Sequence, residues 1–189
     1  MHQTAPKLVY LTHGYTANSQ SHWFPWLKQQ LQARQIECRV FDMPNSCQPN
    51  VDEWLTYHQQ HIDRCDEDCF FIGHSLGCIA TLHYLAQTQR NIGGLLLVSG
   101  FCEHLPHLPE LDSFTQNPIN FEHIIPLTPQ RTVVASLNDS IVPPDYSAHL
   151  AKQLKAKYVT VQQGGHFLAR DRFNRFPLVE NLILDMLSI

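Results

Sequence analysis

The sequence predicts an α/β fold, a mostly parallel sheet with helices on both faces, and three observations carry that expectation. Short β-rich runs alternate with amphipathic stretches along the whole chain, the pattern of strands joined by crossover helices. One run, Gly94 to Ser99, is apolar without alternation, as a strand covered on both faces must be. The chain has 189 residues, 43% of them apolar and only 16% charged, enough to fill one core and too few for two ordinary domains. A single domain over residues 1–189 is expected.

Taken in order, Lys7 to Thr12 reads as a first strand ending at His13-Gly14, and Glu37 to Phe41 as a second ending near Pro44. Between them, about Ser21 to Gln35 carries Trp23, Phe24, Trp26, Leu27 and Leu31 at helical spacings, with Pro25 tolerable only in the first turn. Asn50 or Asp52 caps a second helix through about Ile62. Cys69 to Ile72 is a buried strand entering Gly73-His74-Ser75-Leu76-Gly77, and the helix after it runs to about Gln89. Past the Gly94 strand, residues 101–130 hold many prolines and no sustained period, so a loop with short helices is expected. Arg131 to Ser136 and Lys157 to Val161 are the last strands, separated by a helix through Asp145 to Leu154, and a helix from about Pro177 to Leu187 closes the chain.

Composition narrows the function. A formal charge of -4, with Lys and Arg scattered, leaves no footprint for nucleic acid or an anionic membrane. The N-terminus MHQTAPKLVYLTHG lacks the pattern of a secretory leader, and no run reaches membrane-spanning length, so a cytoplasmic protein is expected. The six cysteines form no Cys-x-x-Cys pair and read as reduced. Among twelve histidines, His58/His61 and His104/His107 each stand three apart, but without a third ligand they read as solvated surface residues, and no metal is expected.

The chemistry sits in the Gly73–Gly77 pentapeptide, which fits G-x-S-x-G between a strand and a helix. In that setting Ser75 occupies a strained turn whose neighbours Gly73 and Gly77 must be small for strand and helix to approach. The turn aims the Leu76 N–H and the helix N-terminus at a carbonyl oxygen that gains charge. An acid and a base should follow, each on a loop leaving a strand. Asp139 follows RTVVAS and His166 follows KYVTVQ and two glycines, and all three side chains can meet above the carboxyl ends of the strands. Asp145 opens a helix and Asp112 follows no strand, which makes them weaker acids for the role. His74 should point away from Ser75, and His13 should shape the loop after the first strand. From that loop the Tyr15 N–H is the second expected oxyanion donor, while the side chains of Tyr15, Trp23 and Phe167 are candidate walls of an acyl pocket.

Four ordered stretches, VYLTHGYTANSQSHWFPWLKQQL, FFIGHSLGCIATLHYL, ASLNDSIVPPDYSAHLAKQL and GGHFLARDRFNRFPLVENLI, resemble the compact serine hydrolases of the α/β-hydrolase superfamily, the retinoblastoma-binding and YdeN-type family. The resemblance spans nearly the whole chain. It implies an α/β-hydrolase fold without a large cap and a Ser75–His166–Asp139 triad. Hydrolysis of a small carboxylic ester or related acyl bond through an acyl-enzyme is then expected, with neither metal nor organic cofactor. Thioester or peptide cleavage, and a protein-interaction role on a hydrolase scaffold, stay open at this point.

Overall fold

The computed structural model describes residues 6–189; the first five, on which part of the leader reading and the lower limit of the 1–189 domain fall, lie outside the described residues. Among the described residues six strands and seven α-helices follow one another as β1 (Leu8–Thr12), α1 (Phe24–Ala33), β2 (Glu37–Val40), α2 (Val51–His61), β3 (Cys69–His74), α3 (Leu76–Leu85), β4 (Gly94–Val98), α4 (Asp112–Thr115), α5 (Phe121–Leu127), β5 (Arg131–Ser136), α6 (Pro144–Leu154), β6 (Lys157–Val161) and α7 (Pro177–Leu187). Every strand pair is parallel, in the order β2-β1-β3-β4-β5-β6. The excursion between β4 and β5 holds only short helical turns, so no cap domain stands over the sheet among the described residues.

Two apolar layers cover the sheet. Tyr10, Phe71, Leu95 and Leu97 pack with Trp54 of α2, the apolar side of α3, Ile124 of α5 and Leu150 of α6. From the same strands, Val9, Leu11, Phe70, Ile72 and Leu96 face the other way, onto Phe24 and Leu27 of α1 and Val179 and Ile183 of α7. Alternate residues of β1, β3 and β4 therefore feed opposite cores, which is why those strands read as unbroken apolar runs. Each fully buried side chain of this kind contributes about 1.5–3 kcal/mol. The sheet edge differs: β6 has solvent on much of its surface, with Tyr158 exposed.

Several boundaries shift from those the sequence suggests. Helix α1 begins at Phe24 rather than near Ser21, because Asn18 and Ser21 exchange bonds within a turn and Pro25 occupies the first helical turn. Asn50 caps α2 as expected, its side chain accepting from the Asp52 and Glu53 N–H groups. Helix α3 stops at Leu85 instead of Gln89, since Thr88 uses its hydroxyl on the Arg90 N–H and its carbonyl on His123. Among the described residues no helix is long and apolar enough to cross a membrane.

The histidine pairs also separate. His58 is buried rather than solvated, its Nε2 3.0 Å from the Thr12 hydroxyl, because it lies on the inward face of α2. Burial holds its pKa down at about 3. His61, one turn on, is exposed and stacks on Tyr57. His104 pairs with Asp112 at 2.8 Å, and no cluster of three metal-ligating residues occurs among the described residues. All six cysteines are free.

Candidate active site

Ser75 stands between β3 and α3 with φ 53° and ψ -122°, a conformation that costs a non-glycine residue about 1–3 kcal/mol. The turn is held by close approach. A Cβ on Gly77 would lie 2.1 Å from the Thr12 carbonyl oxygen, and one on Gly73 would lie 2.7 Å from the Cys78 Cα. Ser75 N–H donates to the Val98 carbonyl at 2.9 Å, tying the turn to β4. On the other side Gly14 presses against the serine itself: a Cβ there would meet the Ser75 Cβ at 2.9 Å. The Leu76 N–H, at the first position of α3, and the Tyr15 N–H donate to no other described residue.

His13 fixes the loop after β1. Its Nε2 accepts from the Met43 N–H at 2.9 Å, so in the neutral ring Nδ1 carries the proton and donates to the Gly14 carbonyl at 2.7 Å. In a planar trans peptide the carbonyl of Gly14 and the N–H of Tyr15 point in opposite directions, so anchoring one orients the other. Burial lowers the His13 pKa and keeps the ring in this neutral form.

His166 and Asp139 meet. His166 Nδ1 donates to Asp139 Oδ2 at 2.8 Å, with both side chains buried. The carboxylate is fully occupied: Oδ2 also accepts from the Ser99 hydroxyl at 2.8 Å, while Oδ1 accepts from the N–H groups of Ile141 at 2.9 Å and Val142 at 3.0 Å. Such a set leaves one orientation for the acid and, through it, for the imidazole. Asp112 and Asp145 stand elsewhere, the first on His104 and the second exposed in the first turn of α6.

The backbone of His166 is pinned at both ends. Its N–H donates to Asp171 Oδ2 at 3.0 Å, an atom that also accepts from Leu168 N–H at 3.1 Å. Its carbonyl accepts from His74 Nε2 at 3.0 Å. His74 thus turns away from the serine hydroxyl, into the layer of Trp23 and Phe24, and supports the loop that carries the other histidine. Buried and near the His166 ring, it has a pKa well below the usual imidazole value.

Ser75, His166 and Tyr15 line one cavity of about 450 Å³, within the range that takes a small molecule. Leu108, Leu111, Ile141 and Leu168 supply its apolar surface, and His22, His107 and Arg170 its polar surface. Trp23 and Phe167 do not line it. Both are completely buried in the α1/α7 layer, Trp23 edge-on to Phe24 and Phe176, and Phe167 edge-on to Phe173 and tilted against Phe176, so the expectation of acyl-pocket walls is corrected for these two. Sequence reasoning missed Ser99, Asp171 and the wall from Leu108 to Leu111. Ser99 had a readable signal, since it stands at the carboxyl end of a core strand; the others depend on loop paths that no period announces.

The chain is similar to known proteins over nearly its whole length. The family model described as serine hydrolase matches residues 9–185. The YdeN protein of Bacillus subtilis is 41% identical over 184 residues, covering 96% of this chain and 97% of its own length. Its crystal structure superposes with a TM-score of 0.94 at 40% identity, over 97% of this chain and 100% of that one. The serine hydrolase RBBP9 of Rattus norvegicus is 27% identical over 163 residues, 85% of this chain and 86% of that protein. Est1E of Butyrivibrio proteoclasticus, determined with ferulic acid bound, shares the fold at 16% identity with a TM-score of 0.73, over 100% of this chain and 94% of that one. The chain belongs to the serine hydrolase family and has a compact α/β-hydrolase fold.

Proposed function

We propose that the chain hydrolyses carboxylic esters of small acyl groups with Ser75 as nucleophile, His166 as general base and acid, and Asp139 as the carboxylate that orients it. The observation that carries this reading is the Asp139–His166 hydrogen bond of 2.8 Å beside a strained Ser75 on one cavity wall. With Nδ1 committed to Asp139, the neutral ring has its lone pair at Nε2, the nitrogen left to take the serine proton. The Ser75 hydroxyl attacks the acyl carbon as that proton passes to His166, and the oxygen that gains charge is received by the N–H groups of Tyr15 and Leu76. Collapse breaks the bond to the alcohol, which leaves with the proton from His166. Water, deprotonated by the same ring, then attacks the acyl-enzyme and releases the carboxylic acid and free Ser75.

A cavity of this volume, without a cap domain above it, suits short and accessible acyl groups better than long lipids. A panel of nitrophenyl esters, thioesters and aminoacyl amides tests the reaction class. Turnover of short esters that disappears in Ser75→Ala is the expected result. Preferential cleavage of thioesters or amides would reassign the leaving group, and a folded chain inert to all three would favour an interaction role on a hydrolase scaffold.

A further inference from the structure

The cavity is electrostatically unlike the rest of the chain. The protein carries a formal charge of -4, yet no Asp or Glu lines the cavity among the described residues, whereas Arg170 and three histidines besides His166 do. Arg34, Arg39 and Arg64 each pair with a carboxylate within 4 Å; Arg170 pairs with none among the described residues, nor do Arg172 and Arg175 farther along the same loop. The one acid beside it in sequence, Asp171, is engaged on the N–H groups of His166 and Leu168. An exposed guanidinium therefore stands at the cavity without an internal partner.

His22 adds a directed donor. Its Nδ1 accepts from the Ala169 N–H at 3.1 Å, so the neutral ring carries its proton on Nε2, which bonds to no other described residue. Burial and the nearby His166 and Arg170 lower its pKa, which keeps the ring neutral at neutral pH. His22 holds a positive φ of 55°, a conformation uncommon outside glycine and maintained here by the loop around it.

We propose that Arg170 and His22 form an anion subsite of the cavity, and that the preferred substrate is an ester whose acyl group ends in a carboxylate. This rests on the reading of Ser75 as the nucleophile and adds no chemical step to it: hydrolysis yields a dicarboxylate and an alcohol. Guanidinium and a ring N–H together match a carboxylate, and an acid-free wall avoids the repulsion that would reject one.

The test compares kcat/KM for nitrophenyl hemisuccinate and hemiglutarate with that for nitrophenyl butyrate and pentanoate, in the full chain and in Arg170→Ala, Arg170→Lys and Arg170→Glu. The expected anionic-to-neutral ratio is about fivefold in the wild type, the scale of a solvent-screened charge pair. It should fall to about one in Arg170→Ala, survive in part in Arg170→Lys, invert in Arg170→Glu, and shrink as salt rises. Hydrolysis of the neutral esters with no wild-type preference for the anionic ones would overturn the subsite and leave the Ser75 reading standing. An anionic preference unchanged in Arg170→Ala would overturn it equally. Absence of turnover on both sets, with Ser75 also inert to fluorophosphonate, would remove the underlying reading and the subsite with it.

Discussion

The loop from Gly164 to Asp171 and the segment from Phe101 to Thr115 both border the cavity, but they are held by different forces. In the first, side chains capture backbone N–H groups one after another: Ser136 that of Gly164, Asn138 that of Gly165, Asp171 those of His166 and Leu168, and His22 that of Ala169. The second is anchored by burial of Phe101, Leu105, Leu111 and Phe114, with His83 and His107 adding single bonds to the Phe114 and Ile141 carbonyls. Directional bonds fix an imidazole to within a fraction of an ångström, whereas apolar packing tolerates exchange of shape for shape. The contrast assigns the proposed chemistry and the anion subsite at Arg170 to the first region, and the fit of apolar substrate groups to the second.

Mutations sharpen that contrast, and the deepest loss should come from the bonded region. Asp139→Asn keeps the shape but disturbs the His166 tautomer, and ester turnover should fall by roughly 10³–10⁴-fold in kcat with KM little changed. Asp171→Ala frees two N–H groups; we expect kcat to fall about 10- to 100-fold from misplacement of His166. Two acceptor bonds lost there should also cost about 1–3 kcal/mol in urea unfolding. Leu108→Ala, in the packed segment, should instead move the preferred acyl length upward and change kcat/KM for the shortest ester by no more than about tenfold. A larger kcat effect from Leu108→Ala than from Asp171→Ala would break the assignment of roles.

Acid sensitivity arises outside both regions, at three buried histidines. His13, His58 and His74 are buried with lowered pKa values, His58 at about 3, so each binds a proton in the unfolded chain before it does in the folded one. Their contribution is intact above the unfolded value near 6.5 and is lost as pH falls toward the folded values. The slope reaches about 1.4 kcal/mol per pH unit for each histidine. Urea unfolding at pH 7.5 and 5.0 measures it, and replacing His58 by Gln should flatten the dependence.

Much of this was legible in the residues. Strands buried on both faces announced themselves as unbroken apolar runs, and the pentapeptide around Ser75, the Asn-Asp after RTVVAS and the Gly-Gly-His after KYVTVQ lay where such a sheet places its loops. What escaped was set by three-dimensional packing. Trp23 and Phe167 stand beside site loops in sequence, yet each is turned inward by the α1/α7 layer. His58 is polar by type and buried because Thr12 supplies a partner. Ser99 and Asp171 act through hydrogen bonds to residues 40 and 5 positions away, which no local period encodes.

The account depends on a serine hydroxyl made nucleophilic by its surroundings, and covalent trapping measures that property directly. After incubation with a fluorophosphonate, peptide mapping by mass spectrometry should find one adduct, on Ser75, formed rapidly in the wild type and slowly in His166→Ala. A folded wild-type chain without an adduct, or one modified at another residue while Ser75 stays free, would contradict it.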